Sequence, residues 1–292
     1  MKTRLVEQLS SREYEAHVAS ILKQIERQDA EALADVLRLL RETRLRIAQE
    51  LVTAKGWQFW HLRDLKIIVE RALRDFERRY FLALAGRQEE AYELGLTFAD
   101  KPLSKAGLTV PFLAYDPYQL MVLQAFSADL VRGLVGDALA KINTTLTLGV
   151  LGQKSVIEVM QEITRILGEE GMKAVGGIAY RAERIVRTEL GRITSMANFA
   201  RQKDVARMVP GLMKEWRSAL LPGRTRGSPG TTGVFDHWSA HGQRVPVEQP
   251  FVVSGEELMY PLDPAGSPGN TINCMCISVL WHSTWEVSVR AE

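Results

Sequence analysis

The chain has almost no cysteine. Its two, Cys274 and Cys276, stand one residue apart in 292 residues. A disulfide at that spacing is strained. A disulfide-stapled secreted scaffold is therefore excluded, and a reducing compartment such as a cytoplasm is expected. Net charge is nearly absent as well: 37 Lys and Arg against 35 Asp and Glu leave a formal +2. Bulk charge gives no argument for nucleic acid, so DNA contact has no support from this side. Long apolar runs are missing. No stretch approaches the roughly 20 residues that cross a bilayer, and Met1-Lys2-Thr3-Arg4 leads into no apolar signal-peptide core. A soluble chain without membrane contact is expected. Also lacking are a Gly-rich phosphate loop, a His-Glu-x-x-His helix and a Gly-x-Ser-x-Gly elbow. A triad of Ser239, His237 and Asp263 can be drawn on paper, but nothing in the spacing favours it over chance.

What is present is apolar periodicity. At 46% hydrophobic residues the chain can bury a real core, in one large domain or two. Residues from about Ser11 to Ala54 read as two consecutive helices joined near Gln28-Asp29. The second carries Leu33, Val36, Leu37, Leu40, Ile47 and Leu51, a near-heptad stripe interrupted at Arg44. Such stripes serve a helical bundle or self-association. Trp57 and Trp60 open a long helix to about Leu96, and Asp100 to Pro111 reads as a linker. Asp116-Pro117 has the form of an N-cap followed by proline at the first helical position, and that helix runs towards Leu146. Ser155 and Glu158 have capping-box spacing, starting a helix that ends near Leu167.

The central stretch is Ile178 to Asn198. At about 100° per residue, Ile178, Ala182, Ile185, Val186, Ile193, Met196, Ala197 and Ala200 share one face. Arg181, Arg184, Arg187, Thr194, Ser195 and Asn198 share the other. Glu189 falls within the apolar face, where a carboxylate needs a partner. Arg224, Arg226, His237 or backbone N–H groups of the same loop are the expected partners. After Pro210-Gly211 the composition shifts to short strands and loops. Met213 to Leu220, the Val245 to Val253 region and Ile272 to Trp281 read as strands. The fold class is α+β: a mainly helical first two-thirds, then a small loop-rich β module packed on the central helix. The division expected is residues 1–110, an N-terminal helical region, and 111–292.

Order and spacing of several short pieces give the second half a wider meaning. They are Ile185-Val186-Arg187-Thr188-Glu189, Glu215-Trp216-Arg217-Ser218-Ala219, Arg224-Thr225-Arg226, His237, Gly242-Gln243-Arg244-Val245, Tyr260-Pro261-Leu262-Asp263-Pro264 and Asn273-Cys274-Met275-Cys276. From about Leu146 onward the chain resembles the phage Mu F-like head morphogenesis family of minor capsid, or minor head, proteins. It departs from that pattern at Leu221-Pro222-Gly223, where an Asp is usual, at His241, at a Gly/Pro/Thr insertion before His237, and at Met275. The resemblance implies a structural virion protein of a tailed phage. It would act in head assembly at or near the portal vertex, beside portal, capsid or scaffold proteins, with a role in DNA packaging or ejection. It would reside in the virion, and in the host cytoplasm during assembly. On this reading Arg187, Glu189, Trp216, Arg224, Arg226, His237, Asp263 and Asn273 form a structural polar cluster, and no residue is catalytic.

Cys274 and Cys276 on a strand would face the same way, and with His237 or His241 they supply soft ligands of the zinc type. Two buried reduced thiols are the plainer reading. His282 lies among aromatic residues and reads as packing. The competing functional class is a metal-dependent hydrolase or transferase using His237, Cys274, Cys276 and Arg226.

Overall fold

The computed structural model describes residues 11–54, 56–105, 117–168 and 177–283. It has the expected α+β class, long helices followed by short antiparallel strands. The helices are α1 (Ser11–Val52), α2 (Leu62–Lys105), α3 (Pro117–Val150), α4 (Val156–Leu167) and α5 (Ile178–Ala206), with a 3-10 turn at Phe59–His61. The strands are β1 (Met213–Arg217), β2 (Arg244–Pro246), β3 (Phe251–Val253), β4 (Glu256–Leu258) and β5 (Ile277–Trp281), with a short helix α6 (Pro268–Thr271) before β5. No helix among the described residues is long and apolar enough to cross a membrane.

The chain makes two compact units. One comprises Asp29–Arg87 and Met121–Arg187; the other comprises Met1–Gln28, Gln88–Leu120 and Thr188–Glu292. Each draws residues from both sides of position 110, whereas the expected division was a single cut there. Among the described residues the first unit contains helices and turns and no strand. Its α1 segment buries Val36, Leu40, Ile47 and Leu51. Thr43 continues that buried line where the heptad reading had looked to Arg44, and its hydroxyl is satisfied by the Leu39 carbonyl, 2.8 Å away. Tyr80 donates to the Ala182 carbonyl oxygen at 3.0 Å, tying α2 to α5. The capping box of α4 forms as expected, with Ser155 and Glu158 bonding each other's backbone N–H groups.

The second unit holds the β structure. β1 is the middle of a sheet ordered β2-β1-β5, antiparallel on both sides, and β3 pairs with β4. One core joins Tyr14, Val18 and Ile21 of α1 to Phe98 of α2, Phe199 and Val205 of α5, and Ile277, Val279 and Leu280 of β5. The start of the N-terminal helix is thus part of the same core as the last strand. α2 and α5 approach closely here: a Cβ at Gly95 would lie 2.8 Å from the Ala197 Cβ. Only glycine fits without displacing a helix.

Several boundaries differ from the sequence reading, each for a physical reason. α1 does not break at Gln28-Asp29. Neither residue is a helix breaker, and Asp29 lies 3.7 Å from the Arg187 guanidinium. α2 starts at Leu62, after Trp57 and Trp60, because the 3-10 turn intervenes. It runs past Leu96 through Pro102 to Lys105. The remainder of the expected linker lies outside the described residues, as does Asp116. β4 and α6 were read as loop. Cys274 and Cys276 precede β5 and are not on a strand.

The passage of α2 through Pro102 has a specific support. Proline lacks the N–H that would bond the carbonyl four residues back, which is Phe98. His17 Nε2 lies 3.2 Å from that same carbonyl oxygen. A carbonyl can only accept, so the ring N–H donates and replaces the missing backbone bond. His17→Ala should therefore destabilise the fold by about 1–3 kcal/mol, the range for a buried acceptor left unmatched. Urea unfolding of a double-mutant cycle checks this: the loss should shrink in a Pro102→Ala background, where the backbone N–H returns. Equal losses in both backgrounds would contradict the substitution of one donor by the other.

Candidate functional site

The residues that carry chemistry collect in the second unit, around the second half of α5. From Thr188 onward this helix is buried nearly all round. Thr194, Ser195 and Asn198 were placed opposite the apolar face, and all three are buried. Thr194, Asn198, Gln202 and Arg201 each donate to a neighbouring element. Thr194 donates to the Ala91 carbonyl oxygen at 3.2 Å. Asn198 and Gln202 both donate to the Ser278 carbonyl oxygen of β5, at 2.7 and 3.3 Å. Arg201 pairs with Asp100 at 2.7 Å. A buried polar group without a bond costs on the order of 1–3 kcal/mol, so this half-helix stays folded only with those elements in place.

Glu189 is 1% exposed, as its position in the apolar face requires. One partner lies on the helix itself. Arg192, one turn on, places a guanidinium nitrogen 2.7 Å from the carboxylate. The i,i+3 spacing lets the helix supply its own counter-ion. The tie from helix to loop sits one residue earlier: the Asn273 backbone N–H donates to Thr188 Oγ1 at 2.9 Å. Asn273 holds a left-handed backbone, φ 60°, a conformation that asparagine adopts more readily than most residues.

The other expected cluster members divide. Arg187 belongs to the first unit and pairs with Glu183 at 3.0 Å. Arg224 is exposed. Arg226 donates to the Ile272 carbonyl oxygen at 2.5 Å, holding the segment that leads into the cysteines. Asp263 is buried and accepts from the N–H groups of Met259 and Ala265, at 2.8 and 3.0 Å, so it organises its own turn. Trp216 is fully buried, edge-on to both His237 and Phe251.

His237, Cys274 and Cys276 do converge. They are 1%, 3% and 3% exposed. His237 Nδ1 is 3.4 Å from each sulfur, and its Nε2 is 3.0 Å from Asn270 Oδ1. The bond from the Cys276 thiol, with His237 beside it, holds the Cys274 thiol well below its usual range, while burial pushes Cys276 up. These three are the residues among those described that could hold a metal ion. His241 lies elsewhere, accepting at Nδ1 from the Ser218 N–H and facing Arg217. His282 contacts the Pro210 carbonyl. Ser239 is exposed and bonds Asp236, so the paper triad is not assembled.

Two charged residues of β1 were not singled out from the sequence. Glu215 is buried between Arg217 and Arg244, each 2.8 Å away. Lys214 is buried with its ammonium 2.5 Å from the Met259 carbonyl oxygen and near the faces of Phe199 and Phe251. Burial lowers its pKa from 10.5 to about 8, against the pull of Asp263 and Glu248. A charged residue on a five-residue strand reads as solvent-facing; only the central position of β1 reveals otherwise.

No family model, curated protein or solved structure matches this chain.

Two outcomes follow from these burials. Glu189→Ala leaves the Arg192 cation without its carboxylate and should cost about 3–5 kcal/mol, with Glu189→Gln costing less; denaturant midpoints measure both. For Lys214 the sign is that of a depressed base. Below about pH 8 the lysine is charged in both folded and unfolded chains, and the burial penalty is fully present. Between about 8 and 10.5 the folded chain has lost a proton that the unfolded chain keeps, so stability rises with pH. Wild type should therefore gain on Lys214→Met across that window. A difference that does not change with pH would contradict the buried charge.

Proposed function

We propose that this chain is a structural minor component of a tailed-phage head, acting in assembly at or near the portal vertex, with a role in DNA packaging or ejection. The observation that carries this reading is the use made of the residues that resemble the F-like head morphogenesis pattern. Many of them are engaged with one another or with nearby backbone. Thr188 and Asn273, 85 positions apart, are bonded directly. Trp216 exchanges backbone bonds with Gly242 and Gln243. The Gln243 side chain in turn clamps both backbone groups of Val252. Arg226, Asp263 and His237 each hold a local backbone or buried partner. A motif set of this kind maintains a shape, which is what an assembly component contributes to its neighbours.

The competing reading, a metal-dependent hydrolase or transferase at His237, Cys274, Cys276 and Arg226, requires substrate to reach His237, Cys274 and Cys276, which are buried. Its geometry suits it less well. The partners on the favoured reading are the portal and other capsid or scaffold proteins, and the location is the virion, reached from the host cytoplasm.

Co-expression with the portal and major capsid proteins of the same phage tests this. The chain should co-purify with the portal and appear in assembled heads in few copies. Failure to associate with any head component, together with metal-dependent turnover by the purified chain, would overturn the reading.

A further inference from the structure

We infer that His237, Cys274 and Cys276 form a structural site for a zinc-class divalent metal, which pins the His237 loop to the segment before β5. The inference stands on geometry and does not depend on the head-assembly reading.

The first argument is a count of bonding capacity. In the tautomer that donates from Nε2, Nδ1 has one lone pair. Two thiols converge on it, each with its sulfur at 3.4 Å. One S–H can donate to that lone pair; the Cys276 S–H has Ser218 Oγ, 3.7 Å away, as its own acceptor, yet its sulfur still lies against the same nitrogen. A cation among the three atoms uses all of them. The second argument is distance. With zinc–sulfur bonds of about 2.3 Å and zinc–nitrogen bonds of about 2.0–2.1 Å, a tetrahedron separates nitrogen from sulfur by roughly 3.6 Å. The three ligand atoms here all lie within 4.8 Å of one another. Small side-chain adjustments, and no backbone rearrangement, bring the donors to a common centre.

The third argument is the support behind the ligands. Asn270 Oδ1 receives the His237 Nε2–H at 3.0 Å, and the Asn270 amide is itself anchored on the Val253 carbonyl oxygen at 3.2 Å. That arrangement fixes the ring and turns Nδ1 inward, as partners behind metal-bound histidines do. The Cys276 backbone N–H points at Cys274 Sγ at 3.4 Å, a bond suited to a thiolate. The donor set, two sulfurs and an imidazole, is soft and favours zinc over magnesium or calcium. A fourth ligand, a water or a side-chain oxygen, would complete the tetrahedron. Ser218 Oγ, 3.7 Å from Cys276 Sγ, is an oxygen next to the group. Depth of burial assigns the site to structure: the metal would join residues 37 and 39 positions apart in sequence.

The test uses the full chain, reduced and metal-stripped, titrated with cobalt(II) alone as the spectroscopic stand-in for zinc. Binding of one equivalent should produce thiolate-to-cobalt charge transfer and the intense visible bands of tetrahedral cobalt. Zinc should bleach both. Cys274→Ser, Cys276→Ser and His237→Gln should each abolish the charge-transfer signature or reduce it to that of the remaining ligands. Asn270→Ala should keep the signature and weaken affinity by about 10–100-fold. The wild-type titration decides the matter even where a variant does not fold. A folded, reduced wild-type chain that gives no charge-transfer band at saturating cobalt would overturn the site. So would a band that survives removal of both cysteines.

Discussion

The constraint on which the β-containing unit depends is the burial of a polar half-helix. α5 from Thr188 to Gln202 carries Thr, Ser, Asn, Gln, Arg and Glu side chains into an interior that can tolerate them only if each finds a partner. Glu189 is matched from within the helix by Arg192. Thr188, Asn198, Gln202, Thr194 and Arg201 are matched from outside, by Asn273, Ser278, Ala91 and Asp100. This makes the helix specific for its surroundings. Apolar side chains would pack against many surfaces at similar cost, whereas Asn198 and Gln202 require a carbonyl at one place on β5. The C-terminal module is therefore positioned on α5 by hydrogen bonds and filled in by the core around Phe199 and Ile277.

A second set of matched groups lies on β1. Its central position buries Lys214 and Glu215 on opposite faces. Lys214 shares its face with Trp216, and both contact Phe251. Glu215 shares the other with Arg217, which also reaches Glu15 and lies over the Tyr14 ring. The strand thus connects the Trp216–His237 cluster to the start of α1. His17, on the same helix, supplies the donor that Pro102 withholds from Phe98. Residues near the N-terminus of the described chain are structural parts of the unit that holds the cysteines.

Much of the helical plan was legible because periodicity survives wherever one face is apolar and the other wet. The capping box at Ser155, the start of α3 at Pro117 and the buried positions Val36, Leu40, Ile47 and Leu51 follow from that rule. It fails where burial is all round. Thr194, Ser195 and Asn198 look solvated because the rule assigns polar residues outward, and no local signal announces a carbonyl waiting on β5. Glu189 was legible as buried for the same reason in reverse: one acid among apolar neighbours. Arg192, three residues on, supplies one partner that the helical spacing alone could have suggested. The continuity of α2 was hidden because Pro102 looks like a stop, and the bond that carries the chain past it comes from His17; α1 runs on through Gln28-Asp29, where no residue breaks a helix. The convergence of His237 with the two cysteines was visible as a donor set, but the strand geometry expected for it was not what brings the sulfurs together.

If α5 is held by its partners in the C-terminal module, the two share one opening event. Hydrogen–deuterium exchange on the full chain measures this directly. The account predicts that amides of residues 190–202, 213–217 and 277–281 exchange in one slow class and move together when Asn198→Ala or Ser278 backbone bonding is perturbed. Fast exchange of the strands while the α5 amides stay protected would contradict it, because the buried polar half-helix would then be stable without the groups that satisfy it.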